Sequence, residues 1–353
     1  MTFTGDRFIH VAGSPYEMGF EHGKACHDRI EYAVRAALLK EINKRNNYTF
    51  DEAVNRAMTY MEYGREYAPH LDEELHGIAD GAGLLYEEIC MLQVRSELAY
   101  PASLRVAGEC SSVAVQAEAP RAQTTLIGQN LDMGEGLESL GIALHLEPNR
   151  GPRILTWTLA GVVGQTGLNS SGLARCGNVL FCAGWRVGVP TSFLFRRILE
   201  QETIEAASEL CRGTRRAKSN NIVLAHADGQ IVNIEMTVDD ERFIYPEQYT
   251  LCHTNHYIDP DFEDADLFPD QEDSRIRLDR LQQVIETAPQ LDETALEQLL
   301  CDHANAPHSI CKHVAQDKKR LKTVASCVMT PSLGRLRLSF GNPCENEYAT
   351  LYV

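Results

Sequence analysis

The period of the hydrophobic pattern changes about a third of the way along the chain. Up to about residue 100, apolar positions recur at helical spacing, as on helices with one buried face. Ser14-Pro15-Tyr16-Glu17 sets a cap, a first-turn proline and a capping-box glutamate in order, and the helix it opens is predicted to run to about Arg45. A second helix is predicted from Phe50-Asp51-Glu52 to about Tyr67, a third from His70 to Ala82 and a fourth from Tyr86 to Ala99, with Gly83 as the break. After Cys110 the pattern is strand-like. Residues 111–116, 124–131, 142–147 and 153–160 carry β-branched and apolar residues between polar or glycine turns. Asn169-Ser170-Ser171-Gly172 is a turn between two more strands, and Asn221 to Met236 reads as a hairpin turning at Asp228-Gly229. Helices are expected at 190–213, 273–287 and 292–303, then strands at Thr323–Met329 and Arg335–Phe340 around a turn at Pro331–Gly334.

Helices, strands, helices and strands in that order predict an α+β fold of packed layers. There is no internal repeat and no linker. Asp259–Asp273 is an acidic, proline-containing loop, so one integrated domain is expected. At 353 residues and 44% hydrophobic the chain can bury a large core. A net charge of −17 argues against nucleic acid and anionic membranes as partners. No apolar run reaches the ~20 residues of a membrane span. The N-terminus lacks the pattern of a signal peptide and the C-terminus a peroxisomal tripeptide, so a cytoplasmic protein is expected. The eleven cysteines are odd in number, scattered and without a Cys-x-x-Cys pair, which favours reduced thiols.

Cys110 opens the strand Cys110-Ser111-Ser112-Val113-Ala114-Val115, and read locally it is either a nucleophile or one buried thiol among eleven. A nucleophile needs a base, oxyanion donors and groups that hold the base. If strands 111–116 and 124–131 pair as a hairpin, Asp132 of Gly128-Gln129-Asn130-Leu131-Asp132 comes close to Cys110; otherwise Asp132 starts a turn. Leu251-Cys252-His253-Thr254-Asn255-His256-Tyr257 gathers polar groups at a strand end, and the Asn255 amide suits an oxyanion. His253 and His256 are bases or structural histidines. Cys301-Asp302-His303 with His308-Ser309-Ile310-Cys311-Lys312-His313 has the composition of a zinc site, but its spacing fits no standard finger and no metal is expected. Lys318-Lys319-Arg320 is either a solvated helix end or faces an anionic group. Arg275, Arg277 and Arg280, alternating with Ile276 and Leu278, read as the outer face of a helix. Phosphate loops, nucleophile elbows and His-Glu-x-x-His are absent, and the glycines of Gly161–Gly167 read as strand turns.

Nine short pieces in order resemble the acyl-coenzyme A:isopenicillin N acyltransferase (penicillin acyltransferase) family, self-processing cysteine enzymes of the N-terminal nucleophile class. They are Gly19-Phe20-Glu21-His22-Gly23, Arg95-Ser96-Glu97-Leu98-Ala99-Tyr100, Gly108-Glu109-Cys110-Ser111, Gly128-Gln129-Asn130-Leu131-Asp132, Gly167-Leu168-Asn169-Ser170-Ser171-Gly172, His253-Thr254-Asn255-His256, Asp273-Ser274, Ser309-Ile310-Cys311 and Lys319-Arg320. The resemblance implies a four-layer αββα sandwich of two antiparallel sheets. It also implies autocleavage between Glu109 and Cys110, giving a helical segment 1–109 and a nucleophile-bearing part 110–353. These two fragments are expected to stay together, because the helices carry apolar faces that need the sheets as cover. The freed α-amine of Cys110, with a reference pKa of roughly 7.7–8.0, would serve as base for its own thiol. By the same resemblance Asp132 would orient that amine, Asn255 would stabilise the oxyanion and Arg320 would position charge.

The expected activity is that of an amidohydrolase or acyltransferase on a small N-acyl amide or acyl thioester, through a Cys110 thioester and with no cofactor. An acyl-CoA-dependent N-acyltransferase and an uncleaved, non-catalytic binding relative are the alternatives. Glu109 stands where the family has glycine and Lys319 where it has a small hydroxyl residue.

Overall fold

The computed structural model describes residues 5–38, 48–99, 109–119, 121–268, 270–314 and 321–353. The chain opens with a strand, β1 (Phe8–Gly13), and then α1 (Pro15–Ala25), capped by Ser14 and Glu17 in a capping box. The expected long helix is broken instead. Cys26 ends α1, α2 (His27–Tyr32) follows, and Ala33–Leu38 continues as a π-helical turn; the stretch towards Arg45 lies outside the described residues. Next come α3 (Phe50–Tyr67), α4 (Pro69–Ala82), α5 (Tyr86–Gln93) and α6 (Arg95–Leu98), with Val94 separating the last two. Gly83, left-handed at φ 65°, stops α4 as its sequence predicts. A Cβ on Gly19 would sit 2.1 Å from the Glu74 carbonyl oxygen, and one on Gly77 2.2 Å from that of Tyr16. Glycine therefore lets α1 and α4 touch backbone to backbone.

The strands that follow are β2 (Glu109–Val115), β3 (Leu126–Gly134), β4 (Gly141–Pro148), β5 (Ile154–Leu159), β6 (Thr166–Asn169) and β7 (Leu173–Val179). The expected helix at 190–213 is two helices, α7 (Thr191–Leu199) and α8 (Ile204–Cys211), the second capped by Thr203. The hairpin of β8 (Asn220–His226) and β9 (Ile231–Met236) turns through Gly229 as predicted. β10 (Glu241–Ile244) and β11 (Thr250–His253) lead to α9 (Gln271–Thr287) and α10 (Glu293–Leu300), and β12 (Leu321–Thr330), β13 (Arg335–Phe340) and β14 (Ala349–Tyr352) close the chain.

Among the described residues these strands form two sheets, ordered β1-β4-β5-β6-β7-β8-β9-β10 and β11-β2-β3-β12-β13-β14. All recorded pairings are antiparallel except β1 with β4, so the larger sheet ends in one parallel edge strand. The sheets face each other: Gln129 on β3 bonds to Thr166 on β6 and to the Gly177 carbonyl on β7. Strand alternation covers both outer faces. Val113, Val115, Leu126 and Val328 of the smaller sheet pack on Leu281, Ile285, Leu296 and Leu299 of α9 and α10. Leu173, Ile222, Leu224 and Ile234 of the larger sheet pack on Leu194, Ile198 and Ala207 of α7 and α8. The result is the αββα sandwich. The first-third helices add to it through a buried pair, Arg196 on α7 with Glu74 on α4, at 3.0 Å. Among the described residues no helix is long and apolar enough to cross a membrane.

Candidate functional site

The antiparallel pairing of β2 with β3 sets Cys110 opposite Leu131 and Glu109 opposite Asp132. The hairpin read from the two strand patterns thus brings Cys110 and Asp132 together. Alternation gives the two faces of β2 different company. Ser111, Val113 and Val115 face the helical layer, while Cys110 and Ser112 are on the side of the second sheet. Cys110 is buried, and burial pushes its thiol up to about 12, with the Asp132 charge adding to the rise. Arg277 and hydrogen bonds from the Asp132 backbone and the Gln129 side chain act the other way.

Asn255 follows β11, the strand paired with β2, and so reaches the start of β2. The Cys110 backbone N–H donates to Asn255 Oδ1 at 2.9 Å. The amide orientation is fixed from both ends: Oδ1 also accepts from Arg277 Nη2 at 3.0 Å, and Nδ2 donates to the Val179 carbonyl at 3.0 Å. The Asn255 N–H donates to Ser274 Oγ at 2.7 Å, which ties this segment to α9.

Arg277 corrects the reading of its helix. It is not on an outer face: it is fully buried, while Arg275, two residues earlier, is exposed. Helical spacing places Arg277 one turn after Asp273, on the face that α9 turns toward β2. Its Nε donates to Asp273 Oδ2 at 2.8 Å, and its Nη1 donates to the Cys110 carbonyl at 2.8 Å and to Ser111 Oγ at 3.0 Å. Lys312, also unanticipated, donates to Asp273 Oδ1 at 2.7 Å and pairs with Glu109 at 2.8 Å. Glu109 in turn lies 3.7 Å from Arg277, so the residue before the cysteine is a buried counter-ion of two cations. The two cations hold the Asp273 carboxyl far below the usual carboxylate range, although burial opposes this. The i to i+4 pair Asp273 and Arg277 was the sequence signal for this cluster; Lys312 gave none.

Asp132 is fully buried, and Thr323 Oγ1 donates to its Oδ1 at 2.7 Å. Its Oδ2 has no hydrogen-bond partner among the described residues. Burial raises its pKa to about 7, against the pull of Lys312, Arg277 and Thr323 and with a push from Glu109. A carboxyl so placed exchanges its proton near neutrality. Both His253 nitrogens are engaged, Nε2 with Glu235 at 2.7 Å and Nδ1 with the Thr254 carbonyl at 2.8 Å. His256 is pushed down to about 3, chiefly by burial, and its Nδ1 meets Ser274 Oγ at 2.7 Å. Arg320 lies outside the described residues. The zinc-like composition near the C-terminus does converge in space, but as His303, Cys311 and His313 with the distant Cys344 rather than with Cys301.

The profile of the acyl-coenzyme A:6-aminopenicillanic acid acyl-transferase family matches residues 121–345. The acyl-coenzyme A:6-aminopenicillanic-acid-acyltransferase 40 kDa form of Emericella nidulans is 26% identical over 345 residues, covering 95% of this chain and 93% of that protein. Among solved structures, penicillin V acylase from Agrobacterium tumefaciens is similar at a TM-score of 0.43 and 11% identity, over 65% of this chain and 82% of that one. A variant of conjugated bile acid hydrolase from Clostridium perfringens gives 0.42 and 10%, over 69% and 97%. With a family profile matched over well more than half of its length, the chain belongs to the acyl-coenzyme A:6-aminopenicillanic acid acyl-transferase family.

Proposed function

We propose that this protein cuts itself between Glu109 and Cys110 and then works as a cysteine amidohydrolase on a small N-acyl amide. Transfer of the acyl group to an amine is the second use of the same thioester. The observation that carries this reading is the grip on the main chain of Cys110. Its N–H is held by Asn255 and its carbonyl by Arg277. Side-chain partners on both backbone groups keep a residue in place when it becomes a chain end, which ordinary strand pairing alone does not ensure.

In the self-cleavage step the Cys110 sulfur bonds to the Glu109 carbonyl carbon. The peptide C–N bond breaks, and the proton released by the thiol ends on the leaving nitrogen. Water then splits the thioester, leaving a carboxylate on Glu109 and a free amine and thiol on Cys110. Asp132, with its carboxyl at about 7, is suited to accept a proton during this exchange. In the mature enzyme its Oδ2, without a partner among the described residues, would orient the new amine. That amine then takes the thiol proton, the sulfur attacks the substrate carbonyl, and the substrate's amine departs with that proton; water then cleaves the acyl thioester, releasing the acid and restoring the Cys110 thiol and amine. Asn255 Oδ1 keeps the Cys110 nitrogen in place, and one hydrogen of Nδ2 remains beyond the bond to Val179 for a developing oxyanion. By the carried-over position, Arg320 would position or stabilise charge.

Intact mass of the purified protein tests this: fragments 1–109 and 110–353 are expected, and Cys110→Ala should give one uncut chain. A wild-type chain that stays whole yet turns over acyl amides fully would refute the N-terminal amine. A second reading rests on Glu109, whose buried side chain fills the space between Lys312 and Arg277. It is that of an uncut binding protein, and it predicts an intact wild type whose Cys110 ignores a thiol-reactive acyl probe.

A further inference from the structure

We propose that His303, Cys311, His313 and Cys344 form a structural zinc site. Their four ligand atoms all lie within 4.8 Å of one another. The Nε2 atoms of His303 and His313 are 3.0 Å apart, and the two sulfurs are 3.6 Å apart. His313 Nε2 lies 3.8 Å from Cys311 Sγ and 3.3 Å from Cys344 Sγ. A tetrahedral zinc with ordinary bond lengths spaces its ligands by ~3.3 Å between nitrogens, ~3.6 Å between nitrogen and sulfur and ~3.8 Å between sulfurs. The recorded separations fall around these values. Two thiols and two imidazoles in this arrangement select zinc over hard cations.

The surroundings fit as well. Asn342 Nδ2 donates to Cys311 Sγ at 3.4 Å, a bond that steadies a thiolate, and Glu345 Oε1 lies 3.6 Å from His313 Nδ1, on the side of the ring away from the metal. Cys311 is buried and Cys344 is at the surface, so the site has a closed floor and an entry path. Its ligands come from two distant stretches, the loop after α10 and the turn after β13. Cys311 and His313 flank Lys312, the residue paired with Glu109 and Asp273. Zinc would therefore clamp the loop that presents Lys312 to the start of β2.

The test is elemental analysis of the full-length, untagged protein purified without chelator, beside the double variant His303→Ala with Cys344→Ser. About one zinc per chain is expected in the wild type, and loss of roughly nine-tenths of it in the variant. Protein produced with cobalt should show the visible bands of tetrahedral coordination and a thiolate charge-transfer band. If the double variant does not fold, the wild-type cobalt spectrum decides alone. A folded, metal-free wild type that gives no such spectrum overturns the proposal, as does zinc retained by the double variant or an oxidised Cys311–Cys344 pair. None of these readouts depends on whether the chain cuts itself.

Discussion

Replacing Asp132 with asparagine probes the buried carboxyl beside Cys110, and its effect on stability has a calculable pH dependence. Both proteins carry Cys110→Ala so that the chain stays whole. Asp132 titrates at about 7 in the folded protein, mainly because it is buried. Its unfolded value is near 3.9. Below about pH 4 the group is protonated in both states and contributes no slope. Between about pH 4 and 7 only the folded state holds the proton, so stability falls as pH rises, by about 1.4 kcal/mol per pH unit. Above about pH 7 both states are ionised and the loss levels off near 4 kcal/mol. The amide of the Asp132→Asn variant mimics the protonated carboxyl and removes this slope. The variant should therefore gain on its parent steadily from pH 4 to 7 and keep the gain to pH 8. For a chain of this length that is a melting-temperature difference of roughly 5 °C. Asp273, held low by Arg277 and Lys312, loses its stabilising effect as pH falls, but it does so in both proteins and cancels in the difference. Thermal melts of the pair from pH 4 to 8 give the answer. Parallel curves, or a gap that closes as pH rises, would refute a buried carboxyl that titrates near neutrality.

Arg277→Met should slow self-cleavage about 10- to 100-fold, the cost of losing a charge-assisted hydrogen bond. A time course of intact mass reads this, and an unchanged rate would remove Arg277 from the positioning of Cys110. His253→Ala should lower the melting temperature, because Glu235 loses its buried partner, yet leave labelling of Cys110 by an acyl probe in place. Lost labelling at an unchanged melting temperature would instead make His253 the base. Arg196→Met, which strands buried Glu74, should destabilise by about 3–5 kcal/mol, and adding Glu74→Leu should restore much of that. No recovery in the double variant would show that the pair itself, rather than a stranded charge, holds α4 to α7.

The sequence made legible whatever depends on neighbours along the chain. Capping residues mark α1 and α3, Gly83 ends α4, and the alternation of 111–116 and 124–131 sets the register that places Asp132 opposite Glu109. What escaped depends on distant partners. The arginines of α9 look like a solvated face because charge usually seeks water; only the polar start of β2, on which the helix packs, makes it favourable to bury Arg277. β1 is a short strand before a strongly capped helix, and its parallel partner β4 is more than a hundred residues away. Cys344 shares no local pattern with His303, Cys311 or His313, so a spacing rule finds three of the four and groups Cys301 with them wrongly.

The core is not divided where the chain would be cut. One apolar cluster takes Ile9, Met18, Ile30, Met61 and Leu75 from before Cys110 and Ile142, Trp157, Leu168 and Phe193 from after it, and β1 completes a sheet whose other strands all come later. Cutting after Glu109 would expose none of this surface, yet it would change what unfolding means. Melting an uncut chain releases one molecule, whereas melting a cut one releases two. Recovery of the cut form would then be a second-order encounter, faster at higher concentration, and its apparent stability would rise with protein concentration. The intact Glu109–Cys110 bond would make folding a first-order event of one chain, and after the cut the same fold would have to be regained by two chains meeting.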